Sequence, residues 1–314
     1  LIMQTRAEAL VEQLSGERGG RDELNRLWEE VAQVLSPERQ GFTGHLEKTD
    51  ARRTDHIFDT VPITAKRGLT NAISSMLRPK SSAPGKWFDI MPENEKLLDD
   101  SAVKDWIEKA EEKLWRSLYN PDARFIEATG EVDDDMVTFG TGAGWLGLRQ
   151  DRNGLSFRSF HMANTYILVN ADNVPDGVLV IEWLTAKQAA GRWGEDKLHK
   201  LVRDCLTAQD ASSKNKKWEF CWSVQERFIR DPSIKNNRNM PYESVVVDVK
   251  NVHVVLEEGF EEFPFFLPRW DTRSGEKYGR GVGVLALPDV LTLNQMGKTM
   301  LRSLHRAVDP TMLL

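Results

Sequence analysis

Lys298, Arg302 and Arg306 recur at four-residue intervals. On an α-helix that spacing holds all three on one face, with about 40° of drift per step. The stripe has two readings: a basic face turned to phosphate, or a solvated face opposite the Leu and Met residues of the same segment. Gly297-Lys298-Thr299 has the form of the end of a phosphate-binding loop. The full pattern needs a glycine five residues before Gly297, and Thr292 stands there. The tripeptide also falls inside an amphipathic segment, where backbone N–H groups are already used by the helix, so a nucleotide site is not expected. Asp133-Asp134-Asp135 could hold a divalent cation or act as paired carboxylates. Three acids near a helix start read more simply as a solvated cap that complements the dipole. Gly140-Thr141-Gly142-Ala143-Gly144 completes no dinucleotide fingerprint and reads as a tight turn where helix meets strand. The histidines, at 45, 56, 161, 199, 253 and 305, show no metal-ligand spacing, and there is no HExxH motif or nucleophile elbow. By this reading no residue is assigned to catalysis, to a cofactor or to a metal.

The elements that position these residues follow from periodicity. Leu24, Leu27, Trp28, Val31, Val34 and Leu35 predict an amphipathic helix over 21–35, ended by Ser36-Pro37. Residues 38–56 read as an exposed polar loop. A second helix is expected from Pro62 to Leu77, broken by Pro79 and residues 81–85. Trp87–Ile90 is strand-like. A third helix spans Ser101–Leu118, with Ser101 as N-cap and an apolar face of Val103, Trp106, Ile107, Ala110, Leu114 and Leu118. The period then changes. Strands are expected over 155–160, 166–169 and 178–183, with a Pro-Asp-Gly turn at 175–177. Thr185 caps a helix over 186–206 that Gly191 and Gly194 interrupt. Trp218, Phe220, Trp222 and Val224 alternate as a half-buried strand does. Further strands follow at 244–249, 252–257 and 263–267, with charged loops at 208–217 and 230–240. The last element is a helix over 289–308, with Asp289 as N-cap after Pro288 and Leu293, Met296, Met300, Leu301, Leu304 and Val308 on one face. The order is helices, a β-rich middle and one long helix, which is α+β and not βαβ.

Composition narrows the function classes. The chain has 314 residues, 40% hydrophobic and 29% charged, which is the make-up of a folded protein with a real core. Its net charge is −6, which disfavours tight general coating of DNA but does not prevent DNA from passing by. Cys205 and Cys221 belong to no CxxC pair, so a disulfide framework or zinc site is not expected. No apolar run approaches the ~20 residues that span a bilayer. Leu1 and the apolar end at Leu314 read as the limits of a piece of a longer chain.

The most specific stretch is late. Phe263-Pro264-Phe265-Phe266-Leu267-Pro268-Arg269-Trp270 precedes Gly275-Glu276-Lys277-Tyr278-Gly279-Arg280-Gly281, and then Ala286-Leu287-Pro288-Asp289-Val290-Leu291-Thr292-Leu293-Asn294. This succession resembles the portal proteins of tailed bacteriophages, in the branch of head-to-tail connectors of short-tailed phages. Earlier blocks match in order: Asp59 to Ala65 and Leu69 to Leu77 resemble the family's first characteristic helix, Trp87-Phe88 follows its proline-containing linker, and Met136 to Gly142 resembles its turn before the first strands. The matching blocks spread over about 21–310. Read physically, Tyr278-Gly279-Arg280-Gly281 is a glycine-permitted connection from the sheet to the last helix, with Trp270 packing the corner and Arg269 and Arg280 paired with acids. Pro288, Asp289 and Asn294 complete the motif.

The resemblance implies a ring of twelve copies at one capsid vertex. It implies double-stranded DNA in the central channel, driven by the terminase large subunit, with a tail adaptor and the major capsid or scaffolding protein as further partners. It places such a protein in the virion, after assembly in the host cytoplasm, with no cofactor and no membrane. It makes residues 1–288 wing-like, 289–308 a stem helix and 309–314 the start of the clip, with the crown and second stem helix absent. Lys298, Arg302 and Arg306 become the candidate DNA-channel residues. The alternatives are another ring-forming head–tail adaptor or tail structural protein, which would lack this motif order, or an enzyme such as a nuclease or NTPase, which an ATPase assay would reveal.

Overall fold

The computed structural model describes residues 2–44, 54–79, 86–149, 153–208, 210–228 and 239–308. The expected clip start at 309–314, the helix break at 81–85, residues 45–53 of the expected loop at 38–56 and residues 230–238 of the one at 230–240 lie outside the described residues.

Five strands form an antiparallel meander: β3 Thr165–Val169, β4 Pro175–Thr185, β5 Lys217–Glu226, β6 Tyr242–Asp248 and β7 His253–Phe260, each paired with the next. A smaller sheet sets β1 Ala143–Leu148 between β2 Leu155–Phe160 and β8 Phe265–Phe266. The helices are α1 Ile2–Gly20, α2 Asp22–Leu35, α3 Val61–Leu77, α4 Ser101–Leu118, α5 Phe125–Phe139, α6 Ala186–Trp193, α7 Lys200–Thr207, the single turn α8 Ala211–Asn215, and α9 Val282–Val308. This is the α+β architecture expected from the sequence: helical N-terminal part, β-rich middle, long C-terminal helix.

One face of the large sheet carries Trp218, Phe220, Trp222 and Val224 of β5 into the main core, against Trp28 and Val31 of α2, Trp193 of α6 and Leu287 and Val290 of α9. The half-buried strand expected at β5 is in fact buried on both faces. Leu14 of α1 covers Cys221, Leu179 and Ile181 on the far side, while Ala7 and Leu10 cover Val245 and Val247. Arg6 pairs with Glu243 and Glu257, and Arg18 with Glu219, fixing α1 across the sheet. Burial pushes the Cys221 thiol up to about 12, so it is a packing residue.

Several local expectations change. Trp87–Ile90 forms no strand; the Trp87 ring stacks on Phe125 and its indole N–H donates to the Tyr119 hydroxyl at 2.9 Å, while the Phe88 ring meets Trp115 at a tilt. Phe42 is buried in the supposed exposed loop, 5.4 Å from the Trp28 ring. Asp100, not Ser101, caps α4, its side chain accepting from Ala102 N–H at 2.9 Å. Trp106 on the expected apolar face of α4 is exposed. Thr185 caps α6 as expected, in a capping box with Gln188. Gly194 ends α6, whereas Gly191 lies inside it.

Candidate functional site

The route from sheet to α9 is built on glycine. Gly140 ends α5 at φ +96, a left-handed conformation, and its carbonyl accepts from Trp270 N–H at 2.8 Å. A Cβ on Gly140 would lie 2.3 Å from the Gly279 carbonyl oxygen and 2.4 Å from the Gly281 nitrogen. The two glycine clusters are therefore one joint: the 140–144 turn receives the 279–281 turn backbone to backbone. Gly279 N–H donates to Thr141 Oγ1 at 2.9 Å.

Tyr278 leads the joint into the core. Its hydroxyl accepts from Ile167 N–H at 3.2 Å, and its ring meets Trp28 edge-on at 5.3 Å. Beside it Arg21 is buried, and no carboxylate among the described residues pairs with it. Its guanidinium lies 3.8 Å from the Tyr166 ring centroid and donates to the carbonyls of Ala163 and Thr165. Ring quadrupoles and carbonyl dipoles replace the counter-ion. Nothing in the sequence singled Arg21 out.

Two expectations at the corner are corrected. Among the described residues Arg269 pairs with no acid; it donates to the carbonyls of Asn173, at 2.9 Å, and Lys277. The extended chain at 269 faces the β3–β4 turn, where carbonyls are the available acceptors. Trp270 joins the corner through its backbone, while its ring is partly exposed. Arg280 does pair with an acid, Glu276.

The last helix starts at Val282, seven residues before the expected Asp289 cap. Pro288 lies inside it and Asp289 is an exposed helical residue. The close approach of Gly281 and Gly283 to Thr138 O, where a Cβ would sit 2.7 and 2.5 Å away, fixes the first turn earlier than the proline signal does. Thr292 Oγ1 donates to the Pro288 carbonyl at 2.9 Å. Asn294 ties the helix to the segment before α3: its Oδ1 accepts from Phe58 N–H at 2.7 Å and its Nδ2 donates to the His56 carbonyl at 3.0 Å. The Gly297-Lys298-Thr299 tripeptide lies in mid-helix, with Lys298 Nζ 5.5 Å from the Phe58 ring centroid.

Beyond Lys298 the helix leaves the body. Thr299 to Val308 are all exposed, a projection of about 15 Å. The expected Leu/Met stripe is not packed: Met296 is 63% exposed, Met300 66% and Leu304 52%. At about 100° per residue these three lie on one side, while Lys298, Arg302 and Arg306 lie about 180° away. The side toward the body, marked by Gly283, Leu287 and Asn294, falls between them. Arg302 and Arg306 have no ion-pair partner among the described residues. The structure thus brings the three basic residues onto one face, as expected, but leaves both flanks of the helix uncovered.

Asp133–Asp135 are not a solvated cap. They lie in the last half of α5, and Asp133 and Asp135 are buried. Each meets a different cation: Asp133 pairs with Arg78, Asp134 with Lys66 at 2.8 Å, and Asp135 with Arg39 at 3.1 Å. Lys66 and Thr70 are the only buried residues of α3 among those described, and they and Ser74 dock α3 on α5 through Asp133 and Asp134. Among the described residues no group of three His, Cys, Asp or Glu side chains could hold a metal ion.

Burial, against the pull of Arg39, pushes Asp135 up to about 7. His161 sits on the same strut; its Nδ1 accepts from Ala163 N–H, so Nε2 carries the proton donated to the Arg39 carbonyl at 2.9 Å. Burial, aided by the Arg39 charge, pulls His161 down to about 4. The two shifts act oppositely on stability. Between pH about 4 and 6.5 the folded state holds an extra proton on Asp135, so that contribution falls as pH rises, while the unfolded state holds an extra proton on His161, so that one rises. The two slopes oppose each other. D135N removes the Asp135 contribution, so its stability should rise with pH more steeply than the parent's, by about 1.4 kcal/mol per pH unit through that window. Urea unfolding at pH 4.5, 5.5 and 6.5 checks this; equal slopes in both proteins would contradict it.

The arrangement among the described residues is one of joints, a buried ionic ladder and a projecting two-flanked helix. Residues 4–314 match the family model described as "Bacteriophage head to tail connecting protein". The chain belongs to that family. This connector is 23% identical over 319 aligned residues to the "Portal protein" of Salmonella phage epsilon15, covering 99% of this chain and 55% of that relative. It is 22% identical over 293 residues to the "Probable portal protein" of Bordetella phage BPP-1, covering 92% of this chain and 51% of that one. The connector thus spans about half the length of these relatives. No described helix of the connector is long and apolar enough to cross a membrane.

Proposed function

We propose that this connector is a non-enzymatic portal subunit that assembles into a dodecameric ring at one capsid vertex, and that DNA passes through the ring during packaging and ejection. The observation that carries the reading is the end of α9. It is rooted by Leu287, Val290 and Asn294 and then projects with an apolar flank and a basic flank on opposite sides. In a ring each subunit offers one surface to a different surface of the next. The apolar flank of Met296, Met300 and Leu304 is suited to such a contact, which leaves Lys298, Arg302 and Arg306 toward the channel.

In this reading the body up to about residue 288 is the wing and the remainder of α9 the stem helix, leading at 309–314 into the clip. The terminase large subunit, the tail adaptor and the capsid or scaffolding protein are the partners, and the assembled ring is a virion component built in the host cytoplasm. The net charge of −6 suits a conduit, because a strongly basic pore would hold phosphate and stall sliding. Replacing Lys298, Arg302 and Arg306 together with Gln should lower the salt dependence of DNA retention in assembled particles. Retention with an unchanged salt slope would remove these residues from the channel.

A further inference from the structure

A further concentration of positive charge lies far along the chain from α9. A cavity of about 340 Å³ opens between the C-terminal half of α4 and the β1–β2 hairpin. Among the described residues its walls carry Lys109, Lys113, Arg116 and Arg149, with Glu112 as the one lining carboxylate. On a chain of net charge −6 this local excess runs against the average. Lys109 and Lys113 are one helical turn apart, ~6 Å between Cβ atoms, and have no ion-pair partner among the described residues. Arg116 pairs with Glu112 in the exposed i, i+4 manner, a contact that competes weakly. Arg149 is held over the cavity by Asp122 at 2.7 Å. Asn120 adds a neutral donor: its Oδ1 accepts from Asp122 N–H, which turns the Nδ2 group away from that bond.

We infer that this cavity binds phosphate groups presented in series, as along a nucleic-acid strand or an inorganic polyphosphate. One phosphate would not fill the volume or use both lysines. Successive phosphates at strand spacing match two ammonium groups one turn apart, with the arginines flanking them. The site is separate from the α9 stripe and does not depend on the portal reading.

The test uses the K298Q/R302Q/R306Q chain, so that the α9 stripe is silent. A fluorescein-labelled single-stranded oligonucleotide is titrated and read by anisotropy across a salt series, with tripolyphosphate as competitor. Adding K109Q/K113Q should weaken binding at least about tenfold and reduce the slope of log affinity against log salt by about 1.4, the loss of two phosphate contacts. E112Q should tighten binding. Both lysines are exposed, so the variants should fold as the parent does. Displacement by tripolyphosphate would assign the site to phosphate chains in general, and its failure would assign it to the nucleic-acid strand; either supports the inference. Binding unchanged by K109Q/K113Q would overturn it. So would a polyglutamate peptide that binds equally well and is lost equally on substitution, since the cavity would then be a site for acidic protein.

Discussion

Gly140→Ala should destabilise the chain by about 3–5 kcal/mol, enough to lower its melting temperature by roughly 5–8 °C. Two costs add. The left-handed φ of +96 is strained for any L side chain, and the new methyl would meet the Gly279 carbonyl oxygen at 2.3 Å. Both neighbours are backbone, so no rotamer change can make room. Gly279→Ala and Gly281→Ala should cost comparable amounts, because their Cβ positions lie 2.2 Å from Gly140 O and 2.5 Å from Gly140 N. Gly275→Ala, at φ +83 in open space, pays only the conformational term and should cost about 1 kcal/mol. Thermal unfolding of the four variants checks the ordering. A Gly140→Ala protein within 1 kcal/mol of the parent would mean the two turns do not interlock. Because this joint sets the direction in which α9 leaves the body, its loosening should also impair assembly.

Met300→Glu with Leu304→Glu is expected to abolish assembly while leaving the fold intact. Both side chains are exposed in the isolated chain, so neither supports the core. In a ring they would sit in a subunit contact, where an unpaired carboxylate costs several kcal/mol. Repeated around a closed ring, that cost acts at every interface. The paired variant should therefore remain a monomer with an unchanged circular dichroism spectrum and melting curve. Rings of normal yield would show that the apolar flank faces solvent, and the basic and apolar sides of α9 would then have to be reassigned.

Particular residues show what was legible in the sequence. The alternation of Trp218, Phe220, Trp222 and Val224 located β5, but nothing in that pattern revealed that Cys221 and Ser223 were also buried. The covering helix α1 carries few apolar positions and several glycines, so its periodicity is faint, and its contact with the sheet spans more than a hundred residues of sequence. Gly140 read correctly as a turn. Its lock with Gly279 and Gly281 could not be read, since each cluster is self-sufficient locally and only the fold joins them. Asp133–Asp135 were misplaced because α5 begins after Arg124, at φ +56, with no side-chain cap to mark it. The Pro288-Asp289 start signal lost to the glycine contacts that begin α9 at Val282. Lys298, Arg302 and Arg306 share a face because that is helix geometry, whereas the emptiness of the opposite flank is a property of the packed body.

The most direct test of the account is the mass of the protein expressed from its complete reading frame, by mass photometry with negative-stain images of the same sample. The portal reading predicts one dominant particle of twelve subunits with a central hole. A stable monomer at micromolar concentration would contradict it.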